Sequence, residues 1–158
     1  MIEGVNDSKK LTKKRMEKLY PLIIGGATAF GTGWVFQKEI DEINILQATK
    51  KAFAEAYRNA LAHCPGDYVC SELDIPAVQH SLIHGDALCY SIAAASIVAK
   101  VERDRYMIAA SEKFPQYGFE KNVGYGTKQH MDALREFGPC ELHRRSFIKK
   151  ILAERGEC

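Results

Sequence analysis

The run Gly85-Asp86-Ala87-Leu88-Cys89-Tyr90-Ser91-Ile92-Ala93-Ala94-Ala95-Ser96-Ile97-Val98-Ala99-Lys100 restricts the fold more than any other stretch of the chain. It predicts the start of a long helix, from about Cys89 to Lys113, whose early turns carry almost only small and aliphatic side chains. Such a helix can bring its backbone close to a neighbouring layer, and a sheet is the expected partner. Asp86 stands at its mouth, where unpaired N–H groups carry partial positive charge. A carboxylate held there is either a cap or a metal ligand.

The remaining pattern mixes helices and strands. Thr12 to about Tyr20 reads as a short helix with Thr12 as its cap, and Pro21 discourages continuation. Gly25-Gly26 reads as a turn. Thr28, Phe30, Thr32, Trp34 and Phe36 then alternate with smaller residues, the period of a strand, and Gly31 and Gly33 within it permit close approach of another backbone. Lys38 to Asn44 predicts a short helix. Ala48, Ala52, Phe53, Ala56, Tyr57, Ala60 and Leu61 predict a second helix with one apolar stripe, ended by Pro65-Gly66. Tyr68-Val69-Cys70 and Ser81-Leu82-Ile83-His84 read as short buried strands. Residues 114–127 read as an ordered loop, Thr127 caps a helix to about Phe137, and a last helix runs from about Arg144 to Ala153. Such a mixture predicts one sheet with helices packed on it.

With 158 residues, 46% of them apolar and 27% charged, the chain has the makings of one soluble domain with a core. Net charge is only +2, so a basic surface has to come from local clusters. Two occur: Lys9, Lys10, Lys13, Lys14 and Arg15, then Arg144, Arg145, Lys149 and Lys150. Each is either a solvated helix face or a phosphate-facing surface. The five cysteines, Cys64, Cys70, Cys89, Cys140 and Cys158, form no CxxC pair, which argues against a zinc site or a disulfide framework and favours a reducing compartment. No apolar run reaches membrane-spanning length, and residues 1–11 do not read as a signal peptide. A cytoplasmic protein with no membrane partner is expected.

Several separated motifs occur in one order: Asn6-Asp7-Ser8-Lys9-Lys10-Leu11; Glu42-Ile43-Asn44-Ile45-Leu46-Gln47-Ala48; Gly85-Asp86 with Ser91 to Lys100 and Arg103-Asp104; Tyr117-Gly118-Phe119; Gly124-Tyr125-Gly126-Thr127; His130; and His143-Arg144-Arg145-Ser146-Phe147. Together they resemble ribonuclease HII, the type 2 ribonuclease H family, over essentially the whole chain. The resemblance implies an α/β fold, a ribonuclease H-like mixed sheet flanked by helices with a C-terminal helical element. It implies an endonuclease, a hydrolase that cuts the RNA strand of RNA–DNA hybrids and cuts at single ribonucleotides embedded in DNA, in replication and repair. Four carboxylates would hold two divalent ions, magnesium or manganese, since an anionic phosphodiester needs its charge neutralised before attack.

Carried over residue by residue, the resemblance makes Asp86 a catalytic, metal-site carboxylate. It makes Tyr125 an aromatic platform at the RNA–DNA junction. Lys9 and Lys10 match a segment close to substrate phosphate, and Arg144, Arg145 and Ser146 match an element close to nucleic acid; solvated or structural roles stay open for these five. His130 is expected to support the Gly124–Thr127 loop by a hydrogen bond. Asp104, about five turns along the helix from Asp86, reads as structural, and His84 is open to either reading.

The chain departs from the family pattern in two places. The family's opening Asp-Glu pair and Gly-Arg-Gly segment have no counterpart, so 1–158 reads as a single partial domain whose sequence starts late, with a central strand missing. Ser71 stands where the family has an Asp, and Glu72 is a lesser candidate ligand because a one-residue register slip turns it to the other sheet face. One secure carboxylate does not neutralise two divalent cations. The expectation is a homologue of a monomeric enzyme, inactive as this chain alone, that is poorly soluble or dynamic through unpaired backbone groups. The alternative is a genuine short protein that binds hybrid or duplex nucleic acid without cutting it.

Overall fold

The computed structural model describes residues 1–62, 68–69, 78–80 and 82–156. Its elements are α1 (Lys13–Gly26), α2 (Gln37–Leu61), β1 (Tyr68–Val69), β2 (Val78–Gln79), α3 (Gly85–Leu88), α4 (Tyr90–Lys113), α5 (Phe119–Asn122), α6 (Lys128–Phe137) and α7 (Lys149–Glu154), with 3₁₀ turns at Ser8–Lys10, Pro115–Tyr117 and Arg145–Phe147. The chain divides into two compact units, 1–35 with 46–102, and 36–45 with 103–158. Among the described residues no helix is long and apolar enough to cross a membrane.

The first unit is built on α1 and the first half of α4. Met16, Leu19 and Ile23 recur at helical spacing on α1 and bury against Ala94, Ile97, Val98 and Val101 of α4. Ile97 has no exposed surface. The small face of the Ala-rich helix thus meets another helix here, where a sheet was expected. Thr12 caps α1 as its sequence predicts, accepting from the Arg15 N–H at 3.3 Å. Pro21 does not end α1, however: the helix runs five residues further, to Gly26. Proline deletes one i→i−4 bond, and burial of Ile23 offsets that loss.

The alternating segment Thr28–Phe36 takes no place in a sheet. It lies along α2, so close that a Cβ on Gly31 would stand 2.3 Å from the Ala56 carbonyl oxygen and one on Gly33 would stand 1.9 Å from that of Ala52. Side chains of the helix take over the role of a neighbouring strand: Asn59 Nδ2 donates to the Thr32 carbonyl at 2.8 Å, and the Trp34 N–H donates to Glu55 at 3.1 Å. The partner of this segment among the described residues is a helix, because the two glycines remove the atoms that would hold one away.

The described sheet is two residues wide on each strand. β1 and β2 run parallel with Tyr68 opposite Val78 and Val69 opposite Gln79. The second strand was expected at Ser81–His84, but Ile83 and His84 form a turn, with His84 left-handed at φ 57° and ψ 33°. A mixed sheet flanked by helices is therefore not what the described residues build. Cys70 and Ser81 lie outside them.

Two expectations for the middle of the chain merge into one element. The helices predicted at Lys38–Asn44 and from Ala48 form α2, broken at Asn44, whose φ of 68° and ψ of 164° are not helical. The second unit packs Met107 of α4 with Tyr117, Phe119, Val123, Ala133, Leu134 and Ile151. Its expected loop at 114–127 contains a 3₁₀ turn and α5, joined through left-handed Gly118. Thr127 caps α6 by accepting from the His130 N–H at 3.3 Å, and α6 stops at Gly138 with φ 76°, both as read from sequence. The last helix is split into a 3₁₀ turn and α7.

His130 and His143 are buried in this second core beside Tyr117 and Phe119. Burial, followed by the proximity of His130, lowers the His143 pKa from 6.5 to about 4. The unfolded chain therefore takes up a proton there at a higher pH than the folded one. The stability this neutral side chain contributes is fully present above about pH 6.5 and drains away as pH falls toward 4.

Two outcomes test this packing. Gly33→Ala lowers stability by at least about 1–3 kcal/mol through overpacking. By contrast Gly25→Ala, where nothing lies within 4 Å of the new Cβ, is neutral or gains up to about 1 kcal/mol, read by denaturant melts. Between pH 6.5 and 5, above the range where most carboxylates titrate, the parent chain loses stability that His143→Asn does not lose; parallel slopes in the two melts contradict the account of His143.

Candidate nucleic-acid interface and carboxylate site

The segment before α1 is tied to α4 at two points. The Ile2 N–H donates to Tyr90 Oη at 2.8 Å, and the Ser8 N–H reaches Ser96 Oγ at 3.4 Å. Asp7 is buried and caps the short turn that follows, accepting from the Lys9 N–H at 2.9 Å. That turn presents Lys9, whose Nζ lies 3.5 Å from Asp86 Oδ2. Asp86 sits in α3, not at the first turn of α4: Cys89, in extended conformation, separates the two helices. The N-cap of α3 is His84, which makes no side-chain cap bond. The Asp86 side chain is thus paired with an ammonium. Because Lys9 is 82% exposed, that pair contributes at most about 1 kcal/mol. Lys10 is exposed on the same turn.

This donor set does not fit a pair of divalent cations. Each hard cation takes about six oxygen ligands, whereas among the described residues one carboxylate and one ammonium meet at Asp86. Among the described residues no group of three or more His, Cys, Asp or Glu side chains is arranged to hold a metal. Glu72 and Ser71 lie outside the described residues. Asp104 is buried, with the Arg103 guanidinium 3.3 Å from its carboxylate.

The second unit gathers cations and rings. Val123 and Gly124 are both left-handed, and buried Asn122 locks the bend: its Oδ1 accepts from the Gly124 N–H at 2.7 Å, and its Nδ2 donates to the Tyr117 carbonyl at 2.6 Å. The Tyr125 carbonyl accepts from the Thr127 N–H at 2.8 Å and faces His130 Nδ1 at 2.9 Å, so His130 supports the loop as its sequence position suggested. On this fixed turn the Tyr125 ring is 55% exposed, with the Arg103 guanidinium 5.1 Å from its centre. Arg144 lies over the exposed Phe147 ring at 3.8 Å. Burial first, and then repulsion from Arg103, lowers the Arg144 pKa.

Ser146 and Arg145 turn out to be anchored. Both main-chain N–H groups donate to Asp41, at 3.0 and 2.7 Å, and the Ser146 hydroxyl also donates to it. Partial burial pushes the Asp41 pKa up, but the Ser146 and Arg145 hydrogen bonds and the Arg144 charge outweigh that and leave it lowered. An open cleft lined by Ile40, Asp41, Asn44, Ile45, Ser146 and Phe147 lies alongside. Sequence reasoning missed Arg103, Phe147, Asp41 and the role of His143. Phe147 stands three residues after Arg144, a signal the sequence carries, whereas Arg103 meets the Tyr125 ring from 22 residues away in sequence.

The structure therefore joins Lys9 to Asp86 in the first unit; in the second, Tyr125 and Arg144 each pair a cation with a ring, Arg145 and Ser146 are held by Asp41, and His130 is buried and bonded to the Tyr125 turn. An alternation of guanidinium groups and exposed rings is suited to phosphates and unstacked bases.

The family model described as Ribonuclease HII matches residues 2–150. The Ribonuclease HII of Caldicellulosiruptor bescii is 49% identical over 156 residues, 97% of this chain and 75% of its own length. That of Acetivibrio thermocellus is 48% identical over 154 residues, 96% of this chain. The chain spans only 60% of the latter's length. The crystal structure of the ribonuclease H2 from Pyrococcus horikoshii OT3 superposes with a TM-score of 0.67 at 25% identity, covering 98% of this chain and 83% of that one. That likeness fits a ribonuclease H-like fold despite the short described sheet. The chain belongs to the ribonuclease HII family, the type 2 ribonucleases H.

Proposed function

We propose that this chain acts on RNA–DNA hybrids and on DNA carrying single embedded ribonucleotides, and that the surface of Tyr125, Arg103, Arg144 and Phe147 meets the duplex. The observation that carries the reading is the exposed Tyr125 ring on a turn fixed by buried hydrogen bonds, with a guanidinium at its face. A rigid ring recognises a sugar step through stacking at small entropic cost, and neighbouring cations contribute salt-sensitive attraction to phosphate. Arg145 and Ser146, held by Asp41, keep Arg144 at this surface. Lys9 and Lys10 add positive charge beside Asp86.

The family chemistry is endonucleolytic hydrolysis of the RNA strand with two divalent ions, magnesium or manganese, that neutralise the phosphodiester. Asp86 is the catalytic carboxylate proposed from the described residues. Since those residues do not by themselves fit an ion pair, no hydrolytic step is assigned to them. The pairing of Asp86 with Lys9 favours a second reading, in which the chain as given binds such duplexes without cutting them. The reading extends to a monomer acting in the cytoplasm, which the free thiols of Cys89 and Cys140 support.

One pair of assays tests both. A labelled duplex with one embedded ribonucleotide is expected to bind more tightly than its all-DNA counterpart, and Tyr125→Ala is expected to weaken binding about tenfold by loss of stacking. Equal affinity for the two duplexes contradicts the proposal. In magnesium or manganese, nicking that vanishes with Asp86→Asn supports hydrolysis by this chain, whereas tight binding without nicking supports the second reading.

A further inference from the structure

His143 lies buried against His130. Its neighbours determine where its protons are. His143 Nδ1 accepts from the Cys140 main-chain N–H at 2.9 Å, and Cys140 Sγ lies 3.2 Å from the same nitrogen. A nitrogen that accepts carries no hydrogen, so the hydrogen of the neutral ring is on Nε2. His143 Nε2 is 3.0 Å from His130 Nε2, and a single hydrogen fits between them. His130 Nε2 is therefore the acceptor. Its own hydrogen is on Nδ1, which donates to the Tyr125 carbonyl at 2.9 Å.

We propose that His143 is a positioning residue for the nucleic-acid surface: acting through His130, it fixes the one tautomer that can donate to the Tyr125 carbonyl and so holds the Tyr125 turn. The inference rests on the reading that Tyr125 faces nucleic acid. The relay runs in one direction, from the Cys140 N–H to His143, to His130, to Tyr125. Reversing His130 sets a lone pair against the Tyr125 carbonyl oxygen, and an added proton on His143 sets Nδ1–H against the Cys140 N–H. Both rings are held in place by aromatic neighbours: Tyr117 meets His143 edge-on with centres 4.8 Å apart, and Phe119 meets His130 at 5.4 Å. Tyr117 is itself fixed, its hydroxyl donating to the Gly138 carbonyl at 2.7 Å. The titratable groups facing the pair are thus Cys140 and Tyr117. Burial raises the pKa of both, so each is uncharged where the relay is neutral.

The two side-chain amides separate the two ends of His143. Glutamine can donate toward His130 as Nε2 does, while asparagine can accept from the Cys140 N–H as Nδ1 does. Nitrogen-15 NMR of the ring atoms in the unmodified chain at pH 7 is expected to find His143 as the Nε2–H form and His130 as the Nδ1–H form. Any other pair of tautomers overturns the relay. His143→Gln is expected to keep His130 as Nδ1–H and to bind the ribonucleotide-bearing duplex within about threefold of the parent, a difference of well under 1.4 kcal/mol. His143→Asn is expected to lose that tautomer and to weaken binding about tenfold, as loss of the stacked ring would. A merely structural His143 predicts equal binding by the two variants, and that result overturns the proposal. Tyr125→Ala, measured alongside, separates the two ideas. If it binds as the parent does, the surface reading fails, and the tautomers of the free protein still decide the relay.

Discussion

Ala94, Ile97, Val98 and Val101 occupy one face of α4, and Met16, Leu19 and Ile23 of α1 fill the space above them. The small Ala94 side chain leaves room on that face for the larger side chains of the facing helix. Complete burial of Ile97 removes its side chain from water, a gain of about 2 kcal/mol on transfer scales. The rest of the first unit follows from this contact. The N-terminal segment is fastened to Tyr90 and Ser96 of the same helix, and that fastening brings Lys9 to Asp86. Further along α4, Met107 enters the second core, and Arg103 supplies the cation at the Tyr125 ring.

What could be read from sequence were features decided within a few residues. Thr12 and Thr127 cap helices because a hydroxyl reaches an N–H three positions on, and Gly138 stops α6 because it accepts a left-handed backbone. The start and end expected for α4 hold to within a residue, while the two helices expected at 38–44 and from Ala48 run together as α2. Pro21 misled, since its local penalty is countered by burial of Ile23, which no short window reveals. Thr28–Phe36 misled differently: alternation gives an extended backbone, but Asn59 and Glu55, far along the chain, determine what it bonds to. The motif resemblance singled out Asp86, Tyr125 and His130 as candidates. It could not find the Asp41 clasp on Arg145 and Ser146, whose partners are more than one hundred residues apart.

The candidate residues of the two units differ in how firmly they are held. Lys9 reaches Asp86 with an exposed, flexible side chain, a weak pairing that salt can screen. Tyr125 rests on a turn whose polar atoms are paired by Asn122, Thr127 and His130, two of these side chains being buried. The Tyr125 ring in the second unit is thus held rigidly, while the Lys9–Asp86 pairing in the first unit is adjustable.

The break at Asn44 affects how the chain tolerates change. In an unbroken helix each residue advances the face by about 100°, so one deletion turns every later side chain away from its partner. A non-helical residue at position 44 resets that phase. Insertions or losses in the arm before it leave Ala48, Ala54 and the glycine-lined contact beyond it in their own register, and the two arms can vary in length independently.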